Sequence, residues 1–355
     1  MTRVLLGFVV FFLLLALGVW LKFGGGTVYN DLNTPIPVDA PALDAVIAYD
    51  QPIGDIAFGS DGTMFFSVHP GIRTTDNQLL KVDDGVALPF PSPAAQQTTL
   101  GSVGGIATDG FGRIWVSDHG RFGFENPRLL AFDVDDGTLM YEFEFDSEQA
   151  GAGSFLQDIA VSADGQRVFI ADTSLWRQSP ALLVVDIEKR LAQRLLEDHP
   201  ALASQQWQIG QEGNDLTFLG GILSIMPGID SLTTSPDGNW LYLAAASHDG
   251  LFRIDLADKT LKPERYSDKP LSDSIAVTSG GRAFITDIEH NSIIQADGRR
   301  RLTTILRDAR LRFPSALALF DNQLYVGESA LPEAIRRDDG DYDTIAPFRI
   351  YRVSL

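Results

Sequence analysis

One pattern returns six times along the chain: a short apolar strand, a tight turn, and a second apolar strand ending on a histidine or a carboxylate. The copies are Gly54–His69, Gly104–His119, Gln157–Asp172, Asp230–His248, Asp273–Asp287 and Pro314–Glu328. Asp-Gly pairs at 61–62, 164–165 and 237–238 supply turns that join two strands into a hairpin. A unit of this size, recurring every 40–50 residues or so, buries its faces only against its neighbours. The pattern predicts an all-β fold: a six-bladed β-propeller over residues 44–355.

Composition narrows the chemistry. The 355 residues include no cysteine, which excludes disulfides, thiolate metal sites and a cysteine nucleophile. A formal net charge of -19 argues against a nucleic-acid partner, because phosphate binding needs clustered Lys and Arg. No G-x-S-x-G elbow, H-E-x-x-H pair, phosphate-cradling loop or dinucleotide fingerprint is present.

The N-terminus stands apart. Val4–Leu21 carries no charge and is just long enough to cross a bilayer as a helix. Arg3 places the N-terminal end in the cytoplasm, with Lys22 weakening that bias. Residues 1–22 therefore read as a transmembrane anchor or signal helix. The run is longer than a usual signal core and no A-x-A site follows, which favours a retained anchor. In both cases the propeller is exported, to the periplasm or the extracellular space. Residues 23–43 mix Gly, Pro and Asp without periodicity and read as a linker lifting the domain off the membrane.

Strand-like segments Asp44–Gln51 and Phe348–Leu355 flank the repeats, and pairing them would close the ring. The stretch His199–Gly228, with Trp207, Glu212, Asn214 and Asp215, is an insertion before the fourth blade. The run from Ala330 to Pro347 holds Asp338, Asp339, Asp341 and Asp343 but lacks the Gly and Glu of an EF-hand, so a solvated acidic loop is expected.

The repeats also fix where polar groups gather. With the Asp-Gly turns at one end, first-strand starts and second-strand ends return to the opposite mouth of the channel. Asp55, Asp158, Asp230, Asp273, Ser231, Ser274 and Ser315 stand at strand starts. His69, Asp118, His119, Asp172, His248, Asp287, His290 and Glu328 stand at or just past the second strands' ends. One such carboxylate commonly accepts backbone N–H bonds in a turn. Several around one axis repel and call for a proton, a hard cation or a cationic amine.

Longer phrases carry a family likeness. Arg113–Gly120 (RIWVSDHG), Asn126–Phe145, Ala181–Pro200, Gly228–Asp255, Asp273–Ile293 and Phe313–Ser329 occur in the order seen in the Yellow/major royal jelly proteins, which the chain resembles over about residues 45–355. The resemblance implies a six-bladed propeller. Some members are linked to dopachrome conversion, some bind biogenic amines at the channel mouth, and others are nutritional or structural. The chain departs from the secreted insect members in lacking their cysteines and in carrying an anchor. A wider resemblance is to gluconolactonase/regucalcin propellers, which hold one divalent metal with Glu, Asn and Asp. By repeat position Asp230 stands where that family has Asn and Asp273 where it has Asp. The Glu falls near Gly54, which offers no ligand, and the adjacent Asp55 would point elsewhere in a regular strand.

Three functions compete. The first is a small-molecule binder for an aromatic amine or catechol-derived ligand, or a tautomerase using His119 with Asp158 or Asp230; Asp55, His69, Asp118, Asp172, Asp287 and Glu328 would line its site. The second is a lactonase holding one divalent cation, calcium for example, on Asp230 and Asp273 with help from Asp158 or Asp55. The third is a non-catalytic protein-binding platform.

Overall fold

The computed structural model describes residues 2–72, 77–211, 214–337 and 340–355. Glu212, Asp338 and Asp339, singled out above, lie outside them. Among the described residues six four-stranded sheets form the blades of a propeller, as the repeats require. The innermost strands are Ile53–Phe58, Val103–Thr108, Leu156–Val161, Ile229–Thr234, Ile275–Val277 and Pro314–Phe320, of blades one to six. Each pairs antiparallel with the second strand of its own repeat.

Apolar side chains fill the gaps between blades. Phe65, Ile106, Ile114 and Leu130 pack between blades one and two. Phe169, Leu202, Leu232 and Leu243 pack between blades three and four. Phe284, Leu317, Val326 and Tyr351 pack between blades five and six. The ring closes as expected: Phe348–Ser354 is the third strand of blade six, and Leu43–Tyr49 adds its fourth, with Leu43 opposite Val353 and Tyr49 opposite Phe348. Joining opposite ends of the sequence in one sheet removes the open seam.

The two faces differ. One carries only short connections; Gly62, Gly165 and Gly238 sit there at positive φ, and Asp61 and Asp237 accept N–H groups from Thr63 and Asn239. The other carries every long connection, including residues 119–127, 173–180 and 199–228. Ile209, Leu216, Ile288, Phe313 and Leu331 form a separate apolar cluster beneath these loops, capping blades four to six.

Helix α1, Thr2–Phe23, stands on the long-loop side and is apolar enough to cross a membrane, with a mean hydropathy of 2.9 over its most apolar 18 residues. Residues 24–34 do not form the free spacer the composition suggested. Thr27–Val28 pairs parallel with Trp207–Gln208, and Tyr29 packs on Trp207 at 4.9 Å. Asn33 then donates to Asp287 at 2.7 Å and accepts from Ser292 at 2.7 Å. Gly and polar residues leave the backbone groups of this segment free to bond, and the long-loop face supplies the partners.

Candidate functional site

The channel is shaped by a defect repeated in the innermost strands. In blades one to three the register slips between Ile53 and Ile56, Val103 and Ile106, and Leu156 and Ile159. Blades four and six slip at the matching place, between Ile229 and Ser231 and between Pro314 and Ala316. A β-bulge breaks the strict alternation of side chains. Two successive residues therefore face the axis in blades one and three, Gly54 with Asp55 and Gln157 with Asp158, and Asp230, Asp273, Ser274 and Ser315 line the same cavity. Asp55 is thus at the axis, against the pleat argument that would point it away.

The second residue of each pair has a further task. Asp55 of blade one accepts the N–H of Ile106 in blade two at 2.8 Å. Asp158 accepts Leu232 N–H at 2.7 Å, Ser231 accepts Ile275 N–H at 3.1 Å, and Ser274 accepts Leu317 N–H at 2.9 Å. These bonds lace blade one to two, three to four, four to five and five to six. Blade two has Gly105 here because blade three leaves no room: an added Cβ would lie 2.5 Å from the Gln157 carbonyl oxygen.

Electrostatically the axis is one-sided. Burial raises the carboxyl pKa of Asp55 to about 6 and of Asp273 to about 6. Burial, then repulsion from Asp55, raises Asp158 well above the usual range, while burial and then Asp273 do the same for Asp230. Asp230 and Asp273 interact directly, and buried together they titrate as a pair with raised carboxyl pKa values, so the pair retains a proton more readily than free carboxylates do. Among the described residues no Lys, Arg or His lines the cavity. His69 stands just behind it, its Nε2 at 3.6 Å from Asp273 Oδ2 and without a hydrogen-bond partner; Gln157 Oε1 also lacks one.

The narrow part of the channel has a volume of about 20 Å³, room for one water-sized particle. From Asp55 and Asp158 a wider well of about 310 Å³ leads toward the short-turn face. Thr108, Thr234, Phe58 and Phe320 line it, the two phenyl rings stacked at 4.9 Å. A cation seated here meets carboxylates at the floor and aromatic side chains at the wall.

The carboxylates that end the second strands do other work. Asp118 accepts from Arg128 at 2.7 Å, Ser102 N at 2.8 Å and Gly120 N at 3.1 Å. Asp172 accepts from Arg194 at 2.5 Å, Ser154 at 2.9 Å and Phe155 N at 2.8 Å. Glu328 is held by Arg312 through two bonds of 2.9 and 3.0 Å. Asp287 holds Asn33 and His290. Buried charge persists because it is paired. These four acids tie loops to blades and do not line the channel.

Four of the five histidines share one role. Nδ1 of His69, His119, His199 and His248 accepts the N–H of Gly71, Phe122, Ala201 and Gly250 respectively. Each ring closes a turn, and burial lowers the pKa of His69, His119 and His248 to about 4. His119 packs against Phe122 and Phe155, away from the channel lining that holds Asp158. The expected His119–Asp158 acid–base pairing is therefore not assembled.

Other residues escaped the sequence reading. Gln157 occupies the repeat position of Asp230 and Asp273, and aligning the repeats column by column would have found it. Thr173, which hydrogen-bonds Asp230 at 3.3 Å, carries no such signal. Lys269, fully buried near Asp230, has its pKa lowered by burial to about 7, and its isolated position in the sequence gave no hint.

A hard metal needs several oxygens around one point. Among the described residues the three metal-ligand side chains gathered within 4.8 Å of one another are Asp31, Asp287 and His290, away from the axis. Around the axis Asp230 and Asp273 make a pair, and an added Cβ at Gly54 would lie 2.8 Å from Ser67 Oγ, so the first-blade place has neither a ligand nor space for one. The residues present do not reproduce a Glu, Asn and Asp centre. In the acidic loop, Asp341 accepts the N–H of Asp343, an ordinary turn contact.

Comparison with known proteins agrees with this architecture. The family model described as Major royal jelly protein matches residues 101–353. No curated protein matches the chain in sequence. In structure it resembles a luciferin-regenerating enzyme at 11% identity, with 89% of this chain and 95% of that chain covered and a TM-score of 0.59. It also resembles a gluconolactonase from Xanthomonas campestris at 16% identity, with 93% and 98% covered and a TM-score of 0.58. The calcium-binding protein regucalcin from Agrobacterium tumefaciens is similar at 14% identity, with 89% and 94% covered and a TM-score of 0.58. At these identities the likeness is one of fold.

Proposed function

The chain belongs to the major royal jelly protein family, and from that premise we propose that it is an exported propeller whose axial channel binds a small organic cation, an aromatic or catechol-derived amine. The observation that carries this reading is the channel lining: four carboxylates, stacked phenyl rings and, among the described residues, no basic side chain. An ammonium entering the well would favour the ionised forms of Asp55 and Asp158, which burial otherwise disfavours, and the ring would rest on Phe58 or Phe320. Any proton transfer to such a ligand falls to the Asp230–Asp273 pair, whose raised carboxyl pKa values favour a shared proton, and not to His119.

The test is calorimetric titration with dopamine and with uncharged 4-methylcatechol, on the parent chain and on Asp158→Asn. The reading requires that dopamine bind, that 4-methylcatechol bind at least tenfold more weakly, and that Asp158→Asn reduce the difference. Equal binding of the two would remove the carboxylates from recognition. Calcium binding without amine binding would replace the amine with a divalent ion and return the chain to the metal-dependent reading.

A further inference from the structure

The helix and the propeller are joined without slack. Phe23, the last residue of α1, packs edge-on against Trp176 at 5.9 Å, and the Lys22 carbonyl accepts from Gln178 at 3.0 Å. The next residues stay in contact: Gly25 O accepts from Ser224 at 2.8 Å and Thr27 N–H donates to Gln206 O at 3.1 Å. All of these partners lie on the long-loop face. A 22-residue helix is about 33 Å long, close to the thickness of a bilayer's hydrocarbon core. When such a helix spans a membrane, its Trp20 and Lys22 sit at the boundary, where an indole and a snorkelling ammonium are favourable. The face touching Phe23 is then at that boundary too.

The same face presents apolar side chains to solvent at its loop tips. Phe124, in the loop 119–127, is 73% exposed, and Leu219, in the insertion, is 75% exposed. The other exposed apolar residues of the blades are placed differently. Val86, Leu88, Leu139, Met140 and Leu191 lie on outermost strands around the circumference. Phe111 is on the short-turn face, beneath the Arg113 guanidinium. Two large hydrophobes on separate loops beside a membrane-spanning helix have a natural apolar partner in the interfacial layer of the same bilayer.

We propose that the long-loop face lies flat on the bilayer surface, with Phe124 and Leu219 entering its interfacial layer, so that the channel's well opens away from the membrane. This rests on α1 being a retained anchor. Its consequence is that ligand reaches Asp55 and Asp158 from the aqueous side, through the short-turn face.

The absence of cysteine makes the test direct. Single variants Leu13→Cys, Phe124→Cys, Leu219→Cys and Gln166→Cys of the full chain are labelled with an environment-sensitive fluorophore. They are then reconstituted in phosphatidylethanolamine–phosphatidylglycerol vesicles carrying a spin-labelled lipid quencher. Gln166 marks the short-turn face and Leu13 the helix. The expected result is at least twofold quenching at positions 13, 124 and 219 and none at 166. Quenching at 13 alone would show a spanning helix with the face standing off the membrane, which overturns the orientation and leaves the anchor intact. No quenching at 13 would remove the anchor, and the orientation with it.

Discussion

The carboxylate of Asp158 in blade three accepts the backbone N–H of Leu232 in blade four at 2.7 Å, while its other oxygen accepts Ile159 N–H at 2.7 Å. One acidic side chain thus stitches two innermost strands together and also forms part of the channel floor. Asp158→Ala leaves both N–H groups unpaired and should lower stability by about 2–3 kcal/mol in urea denaturation. Asp158→Asn keeps one acceptor and should lose about 1 kcal/mol. Equal losses would mean that the lateral bond contributes little.

Gly105 holds the corresponding place in blade two, where an added Cβ would lie 2.5 Å from the Gln157 carbonyl oxygen and 2.6 Å from Asp158 Cα. Gly105→Ala must push blades two and three apart and should cost about 3 kcal/mol, since both contacts are backbone. Gly110→Ala, at a turn with open space around it, serves as the control and should be close to neutral. Thermal melts of the two variants side by side decide the matter.

Phe348–Ser354 pairs on one side with Gln323–Glu328 and on the other with Leu43–Tyr49. Removing residues 348–355 strips the hydrogen-bond partners from both neighbours and reopens the ring. The truncated chain should be cleaved by protease under conditions that leave the parent intact, and a resistant product would show that closure is not needed.

Titration of the channel has a definite sign. Asp55 and Asp273 have folded pKa values raised by burial to about 6, above the ordinary carboxylate value. Their favourable contribution is complete below about pH 4 and is lost as pH rises through about 6. Relative to the parent, Asp55→Asn should therefore fare better at pH 8 than at pH 5 in melting temperature. For the same reason cation affinity should climb from pH 5 to pH 7.5, as the carboxylates lose their protons. A flat affinity profile would place the cation elsewhere.

The buried histidines act in the opposite direction. His69, His119 and His248 are held neutral by burial, with pKa values lowered to about 4. Their contribution is complete above about pH 6.5 and is lost as pH falls toward 4. His119→Gln should reduce the loss of stability between pH 6.5 and pH 4.5, whatever it costs at neutral pH. An unchanged acid limb in the melting curves would show that His119 is not one of the groups responsible.

Much of this was legible in the residues. The six hairpin units, the Asp-Gly turns and the flanking strands at 44–51 and 348–355 carry local signals: period-two alternation, turn chemistry and unpaired edges. Blade number and ring closure follow from these because a hairpin with two apolar faces has few ways to bury both. Asp55, Asp158, Asp230 and Asp273 were likewise marked by their place in the repeat. Their partners were not. Whether a carboxylate ends beside Arg128, beside Leu232 N–H or beside another carboxylate depends on residues tens or hundreds of positions away.

The sequence by itself determined the propeller, its blade count, its closing strand and the apolar helix that precedes it, since each rests on short-range periodicity and composition. Only the tertiary structure decided that the bulges turn both Gly54 and Asp55 to the axis, and that Asp118, Asp172, Asp287 and Glu328 hold loops while Asp230 and Asp273 are buried side by side. It also decided that residues 24–34 lie docked on the long-loop face. The physical reason is common to all three. Hydrogen-bond partners, burial and charge neighbours are set by packing between blades, and a pattern within one strand carries no record of what the next blade brings against it.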